Sequence, residues 1–452
     1  MQKLRIADNK RYLETEDGVP FFYLADTAWE LFHRLDHGEM DMYLRNRAGK
    51  GFNVVQAVLL AEADGLSVPN ANGDLPLVDR DPSKPNEPYF TFVDQVLDVA
   101  QSLGMYMAIL PTWGSWVVKK EFHPYFETQT CFNESNAFKY GTYVGNRYRD
   151  RNNVIWVMGG DRNPEGYEPV FEAMARGIKE AVGTNHLFTW HPCGSHSSSE
   201  WWHTSEWIDF NMIQSGHGRK YLENYRFIEK DRALEPTRPT LDGEPCYEDI
   251  PVGFSPANGR FTDHDVRCAA YWSVFAGGAG ITYGCHNIWQ MYDKGRDGYI
   301  EPLRTWKESL NLPGSYHMAH LKRLIESRPM ANRIPDQSLL VGPETGSSDH
   351  MQVTRDGAAG KSDATCILVY TATSESPKID TSVIQGKQLI SWWYDPRNGT
   401  AFLMETVENT GIYSAKYHML PWHLPQDGMD WVLVIDDADA GYATPGVPLS
   451  RR

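Results

Sequence analysis

Runs of consecutive apolar residues alternate with segments of helical periodicity over roughly the first 330 residues of the chain. Apolar runs without a polar residue at every second position are typical of strands covered on both faces, as in a parallel sheet. The pattern predicts eight such strands, at 20–26, 52–60, 105–113, 154–161, 187–191, 210–214, 239–244 and 279–284.

Helical patterns fill several of the intervals between these strands. The clearest are 90–103, 167–182, 262–275 and 303–327, and the first two end at glycines suited to a helix C-terminus. Eight strands alternating with helices predict a (β/α)8 TIM barrel. A doubly wound open sheet is the competing fold, but no Gly-x-Gly-x-x-Gly follows the first predicted strand.

The alternation of strand and helix patterns ends at a turn-rich stretch at about 330–360. Short strands are predicted at 366–370, 389–394, 400–404 and 431–435, with turn chemistry and no helical pattern between them. We therefore predict a barrel domain over residues 1–350 and a small all-β sandwich over residues 351–452.

Charge and composition narrow the class of partner. The net charge of −16 would repel nucleic acid, and no apolar stretch reaches membrane-spanning length, so we expect neither a nucleic acid nor a membrane as partner. Aromatic residues make up 12% of the chain, with 15 Trp and 23 Tyr, and their amphipathic rings suit the faces and hydroxyls of sugars. A carbohydrate is the expected partner, and the pattern does not indicate an oligomeric state.

The cysteine pattern and the other motifs of the chain predict no metal and no cofactor. Six cysteines are scattered without a Cys-x-x-Cys, which indicates isolated thiols rather than a zinc site or a disulfide framework. The N-terminus carries no apolar region of the signal-peptide type. A periplasmic or extracellular location would require a leader that has been removed.

Two carboxylic acids at strand ends are the strongest chemical signal. Asp161 closes the run 153–161 and Glu244 closes 239–244, which place them on strands four and seven, across the barrel mouth from each other. A glycosidase needs two carboxyl groups flanking the bond that it cleaves. We predict Asp161 as the acid/base and Glu244 as the nucleophile. Asp242 and Glu248 are nearby acids, and Asp242 shares a strand face with Glu244.

Other polar and aromatic side chains follow the predicted strands at the edge where TIM-barrel active sites lie. Each also has a structural interpretation: a carboxylate can cap a turn or pair with an arginine, and a lone histidine is often a hydrogen-bonded core residue. The predicted substrate-binding residues are Asp26, Trp29, Glu62, Trp113, His191, Gln214, His217, Tyr283 and His286.

Three motifs in order resemble the apiosidase-like glycoside hydrolase family 140: 24–32 (Leu-Ala-Asp-Thr-Ala-Trp-Glu-Leu-Phe), 153–161 (Asn-Val-Ile-Trp-Val-Met-Gly-Gly-Asp) and 242–245 (Asp-Gly-Glu-Pro). The segment 392–399 resembles a small β domain, named for collagen binding, that often follows this barrel. The resemblance implies a retaining mechanism in which Asp161 matches the acid/base and Glu244 the nucleophile. Many related (β/α)8 glycosidases carry Asn-Glu where this chain has Gly160-Asp161.

The sequence thus predicts a retaining glycoside hydrolase, exo-acting on side chains of plant pectic or related polysaccharides. A catalytically silent carbohydrate- or matrix-binding protein on a glycosidase scaffold is the alternative. A metal-dependent barrel hydrolase is a third reading, but it commonly needs His-x-His on the first strand, and residues 20–26 contain no histidine.

Overall fold

In the computed structural model of the protein, the described residues are 1–119, 129–342, 346–373, 375–416 and 428–449. A three-stranded antiparallel sheet comes first, formed by β1 (Leu4–Ile6), β2 (Leu13–Thr15) and β3 (Pro20–Phe21). The predicted strand 20–26 is divided, because its first two residues pair with β2 and only the later ones enter the barrel.

A (β/α)8 barrel follows, as predicted, and each of its strands is almost fully buried. The described barrel strands are β4 (Tyr23–Thr27), β5 (Val54–Val58), β6 (Tyr106–Leu110), β7 (Val154–Gly159), β8 (Phe188–His191), β10 (Asn211–Gln214), β11 (Thr240–Asp242) and β12 (Gly280–Tyr283), and β9 (His196–Ser197) pairs antiparallel with β10. Neighbouring barrel strands are parallel in the order β8-β7-β6-β5-β4-β12-β11-β10. The seam between β8 and β10 is bridged by Thr189, whose hydroxyl donates to the Phe210 carbonyl at 2.7 Å.

Helices surround the barrel, and all four predicted ones are present among the described residues. The helices are α1 (Leu31–Arg34), α2 (His37–Gly49), α3 (Glu87–Ser102), α4 (Glu134–Tyr148), α5 (Glu168–Val182), α6 (Ser199–Trp202), α7 (Tyr225–Arg232), α8 (Asp263–Phe275), α9 (His286–Trp289), α10 (Trp306–Ser309) and α11 (Pro313–Glu326). The predicted helix 303–327 is two helices, because a new helix begins at Pro313, where the missing N–H is tolerated. Short 3-10 turns lie at Val78–Arg80, Gly114–Trp116, Val252–Phe254, Pro256–Asn258, Gln337–Leu339, Ser347–Asp349 and Ala438–Ala440.

The C-terminal part is a separate antiparallel β domain. Its main sheet has six strands in the order β13-β14-β15-β20-β17-β18, and β16 pairs with β19. The strands are β13 (Ile334–Pro335), β14 (Met351–Arg355), β15 (Cys366–Thr371), β16 (Lys378–Asp380), β17 (Gln388–Tyr394), β18 (Ala401–Glu408), β19 (Ile412–Ser414) and β20 (Trp431–Asp437). The first of these strands precedes residue 350, where the turn-rich composition placed the domain boundary.

The six-stranded sheet is covered on one face by the barrel and on the other by its own small core. Leu368 and Tyr370 belong to the barrel core, whereas the alternate residues Ile367 and Val369 pack with Leu339, Trp393 and the β16–β19 pair. The sandwich therefore consists of a large sheet and a two-stranded sheet, with the barrel taking the place of a second full layer.

A buried ion pair joins the two parts of the chain. Arg267 of α8 donates two hydrogen bonds of 2.7 Å to Asp430, just before β20, and both side chains are fully buried. The rings of Tyr271 and Tyr370 stack beside it at 4.6 Å. The β domain is thus packed firmly on the barrel, beside α8.

Candidate active site

A cavity of about 550 Å3 opens at the carboxyl ends of the barrel strands. Residues from the loops after most of the strands contribute to its wall, as expected for the active-site face of a TIM barrel. The described lining residues are Trp29, Glu62, Trp113, Asp161, Arg162, Cys193, Gly194, Ser195, Gln214, Ser215, Gly216, His217, Gly218, Glu244, Tyr247, Ile250, Phe254, Trp289 and Ile300.

Asp161 follows β7 through a turn with a left-handed backbone. Gly159, Gly160 and Asp161 have φ values of 90°, 109° and 53°. A side chain at Gly160 would also place its Cβ 2.8 Å from the backbone nitrogen of Gly114, so the turn requires glycine there. Aspartate tolerates the left-handed region at a cost of about 1 kcal/mol or more, and such strain is concentrated at functional sites. The turn directs a carboxyl group, 35% exposed, into the cavity.

Glu244 lies just beyond β11 and is held by side chains from the ends of two other strands, β8 and β10. Gln214 Nε2 donates to Glu244 Oε1 at 2.8 Å, and His217 Nε2 lies 3.0 Å from the same oxygen. His191 Nε2 lies 3.0 Å from Oε2 on the other side. These partners fix the carboxylate in one orientation at the cavity wall, where it is only 6% exposed.

The two carboxyl groups have opposite electrostatic environments. Burial opposes ionisation of Glu244, yet His191 and His217, each 3.0 Å from one of its oxygens, lower its pKa well below the usual range. Burial raises the pKa of Asp161, and the negative charge of Glu244 adds to this, although Arg162 acts in the opposite direction. A pair of carboxyls whose pKa values are pushed apart is the arrangement that acid/base and nucleophile roles require.

Most of the other predicted residues are brought to the same cavity. Trp29, Glu62, Trp113, Gln214 and His217 line it. His191 is fully buried behind the wall and reaches the cavity through Glu244. Trp29 and Trp113 approach each other at 5.3 Å between ring centroids, and so form an aromatic corner.

Asp26 and Tyr283 do not line the cavity, contrary to what their position at strand ends led us to expect. They are register partners on β4 and β12, and both point outward to the helices. Asp26 is bonded to Tyr43 and, at 2.7 Å, to Arg47 of α2. Tyr283 donates to Glu248. Alternation along a strand explains the difference, because the positions directly before and after an inward residue face the helical layer.

His286 is also placed outside the cavity wall. Its Nε2 lies 3.0 Å from the carbonyl oxygen of Ile300, and its Nδ1 is 3.3 Å from Trp289 Nε1. Burial lowers the pKa of His286 to about 3, which keeps the ring neutral. The geometry gives this histidine the role of holding two cavity-lining residues in place.

The acids near Glu244 in sequence have partners away from the cavity. Asp242 accepts from Ser215 Oγ at 2.6 Å and from Asn224 Nδ2 at 3.0 Å, and burial raises its pKa to about 6. Glu248 accepts from Tyr283 and from the Gly314 backbone N–H at 3.1 Å, and burial raises its pKa to about 7. Neither lines the cavity.

Several lining residues were missed by sequence reasoning. Tyr247 is the most notable, because its buried hydroxyl is close enough to Glu244 to interact with that carboxylate and its ring lies 4.4 Å from that of His217. Its position three residues after Glu244 was a signal that could have been used. Arg162 directly follows Asp161 and donates to its carboxylate at 3.3 Å. Phe254 and Ile300 come from loops whose course no strand pattern predicts.

Comparison with known families decides the assignment. Residues 7–332 match the family model described as "Apiosidase-like, catalytic domain". This chain belongs to that family. Residues 334–436 match the model described as "Putative collagen-binding domain of a collagenase". The resemblance noted in the sequence is thus confirmed for both parts of the chain. A search of the curated proteins gave no match.

Solved structures similar to this apiosidase-like chain are glycoside hydrolases. A family 5 glycoside hydrolase from Bacteroides vulgatus is 31% identical, with a TM-score of 0.88, over 99% of this chain and 96% of that one. A protein described as a glycoside hydrolase is 32% identical, with a TM-score of 0.87, over 97% of each chain. A family 39 enzyme from Bacteroides cellulosilyticus shares the fold at 10% identity, with a TM-score of 0.52, over 96% of this chain and 82% of that one. The apiosidase-like chain therefore has a glycoside hydrolase scaffold.

The described residues of this apiosidase-like chain contain neither a metal-ligand cluster nor a membrane-spanning helix. They contain no group of three or more His, Cys, Asp or Glu side chains arranged to hold a metal ion. No helix in the described ranges is long and apolar enough to cross a membrane.

Proposed function

We propose that the protein is a retaining exo-glycosidase that removes terminal sugars from side chains of pectic or related plant polysaccharides. The observation that carries the proposal is the single cavity that contains both Asp161 and Glu244, with pKa values shifted in opposite directions. The apiosidase-like family supports the class of substrate. A cavity of about 550 Å3 suits a terminal sugar and its neighbour, which favours action at a chain end.

The proposed reaction has two displacement steps. In the first, the Glu244 carboxylate attacks the anomeric carbon while the protonated Asp161 gives its proton to the glycosidic oxygen, and the alcohol leaves. In the second, Asp161 takes a proton from water, the water oxygen attacks the anomeric carbon, and the Glu244 carboxylate is released. The hydrogen bonds from Gln214 and His217 keep Glu244 ionised for the first step.

Aromatic and polar groups around the pair would position the sugar. The indole Nε1 of Trp113 is buried without a partner among the described residues, which makes it available to a sugar oxygen. Trp29 supplies an apolar face in the same wall. These groups add binding and orientation to the chemistry of the two carboxyls.

The test is the loss of turnover in two isosteric variants. Glu244→Gln and Asp161→Asn should each lower kcat on natural pectic oligosaccharides by about 10^3-fold or more, because each removes a reacting group. Glu172→Gln on the exposed face of α5 is the matched control and should behave as wild type. Circular dichroism and thermal melting should show that all three are folded. Wild-type turnover in either active-site variant would contradict the proposal, and binding without hydrolysis by the wild type would favour the catalytically silent alternative.

A further inference from the structure

Glu62 is a third carboxyl group in the wall of the cavity, after β5. Its side chain is only 5% exposed. Among the described residues, none forms a hydrogen bond or an ion pair with it. Its carboxyl therefore faces the cavity without a protein partner. A buried carboxylate without a partner is costly, whereas a neutral carboxylic acid is much less so.

The other acids near Glu62 have compensating groups that Glu62 lacks. Glu244 is held by two histidines and a glutamine. Asp161 has the guanidinium of Arg162 at 3.3 Å. Glu30, fully buried behind the cavity, has Arg34 at 3.7 Å. Acids close together in a buried site cannot all be ionised, and protonation is most favoured at those with the least compensation.

The charges facing Glu62 come from three strand ends. Burial raises the pKa of Glu62 well above its usual value, and the negative charges of Glu30, Asp161 and Glu244 add to this. Arg162 is the one cation among its main influences, and it acts in the opposite direction. The pKa shift is thus consistent with the absence of a partner.

We propose that Glu62 is a neutral carboxylic acid in the free protein and recognises substrate by donating a hydrogen bond to a sugar hydroxyl. This inference rests on the proposed glycosidase function only for the identity of its ligand. A carboxylic acid offers a donor and an acceptor, which together match one hydroxyl group. The nearby Trp113 Nε1, buried without a partner, offers a second donor in the same wall.

The protonation state can be tested without any substrate. When a carboxyl pKa is raised by folding, rising pH favours the unfolded chain, from the unfolded value of about 4.3 up to the folded pKa. Glu62→Gln cannot ionise, so its melting temperature at pH 4 should be equal to or lower than that of wild type. Between pH 4 and pH 7.5, the melting temperature of Glu62→Gln should gain about 2 °C or more relative to that of wild type. Glu172→Gln is the exposed control and should show no such gain. A gap between Glu62→Gln and wild type that does not change with pH would overturn the inference.

A second measurement covers the case in which Glu62→Gln is poorly folded. The infrared band of protonated carboxyl groups in wild type at pH 7 should weaken in Glu62→Ala or Glu62→Gln. A band of unchanged strength in a folded variant would show that Glu62 is ionised and would contradict the inference. Both this test and the melting series are independent of whether the protein hydrolyses any sugar.

The recognition role is tested with the substrate that wild type turns over best. Glutamine keeps a donor and an acceptor, so Glu62→Ala should lose about tenfold more kcat/KM than Glu62→Gln. As the pH rises through the range in which Glu62 loses its proton, KM should rise for wild type but stay flat for Glu62→Gln. Equal losses in both variants, or parallel KM profiles, would contradict a donor role. Complete inactivity of wild type would instead count against the proposed function. The melting series and the infrared measurement would still decide whether Glu62 is protonated.

Discussion

The carboxyl groups of Asp161 and Glu244 differ in the donors that surround them. Glu244 has Gln214 and His217 on one oxygen and His191 beside the other. Asp161 has the neighbouring Arg162 as its ion-pair partner and retains contact with the cavity. This difference, together with the opposite directions of their pKa shifts, supports the proposed roles of Glu244 as nucleophile and Asp161 as acid/base.

The pH dependence of kcat should follow from these shifts. The pKa of Glu244 is lowered, so its protonation should not limit kcat until the pH falls below about 4. The pKa of Asp161 is raised, so its loss of a proton should set the alkaline limb. The measurement is kcat against pH, at saturating concentrations of an aryl glycoside with a good leaving group. Asp161→Asn should lose the alkaline limb with such a substrate, and an alkaline limb that survives in this variant would assign the acid elsewhere.

Most of the predicted residues that lie beyond the strand ends are at the cavity, His286 excepted, whereas those within the strands are divided between the cavity and the helical layer. Trp190 and His191 are adjacent on β8, yet Trp190 packs against Phe171 of the helical layer while His191 contacts Glu244. Asp26 and Tyr283 were placed in the cavity by their strand positions, although they face the helices. The alternation of a fully buried strand is invisible in its sequence, because both faces are apolar.

At the scale of elements, β4 and α2 are joined by the buried pair of Asp26 and Arg47. Both side chains are fully buried, and Arg47 also donates to the Leu310 carbonyl at 2.8 Å. The pair ties a strand, its following helix and a later loop together. These partners give Asp26 a structural role rather than one in substrate contact.

Asp26→Asn should destabilise the fold by about 3 kcal/mol, because it leaves Arg47 buried without a counter-charge. Urea denaturation followed by tryptophan fluorescence measures the change. Asp41→Asn, which breaks the exposed pair with Arg45 on the same helix, is the control and should cost less than about 1 kcal/mol. If Asp26 instead bound substrate, the variant would show a raised KM with unchanged stability.

Element prediction recovered the barrel strands and four of the helical segments, but not the amphipathic helices α4 and α7. All eight barrel strands and the four predicted helices are found within a few residues of their expected bounds. The exceptions have local causes: Pro313 starts a new helix inside 303–327, and Phe22 separates a strand paired with β2 from the barrel strand. The helix α2 was not predicted, because its apolar residues do not form one clear stripe.

At the scale of the whole molecule, the barrel and the β domain share one continuous core. Leu368, Tyr370 and Val434 from the β domain pack with the barrel residues, while the opposite face of the same sheet forms a separate small cluster. The buried pair of Arg267 and Asp430 lies within this contact. The change from helical patterns to short strands after residue 360 indicated a second domain. It could not show that the β domain packs on the barrel, because a sheet buried on both faces has no polar face from which its orientation could be predicted.

The most direct test of the account is the configuration of the first sugar released. Proton NMR of the anomeric region, recorded within minutes of adding wild-type protein to the best pectic oligosaccharide or aryl glycoside, shows which anomer forms before mutarotation. The proposed mechanism predicts the same anomeric configuration as in the substrate, because Glu244 would form and then release a covalent intermediate with help from Asp161. Initial release of the opposite anomer would contradict it.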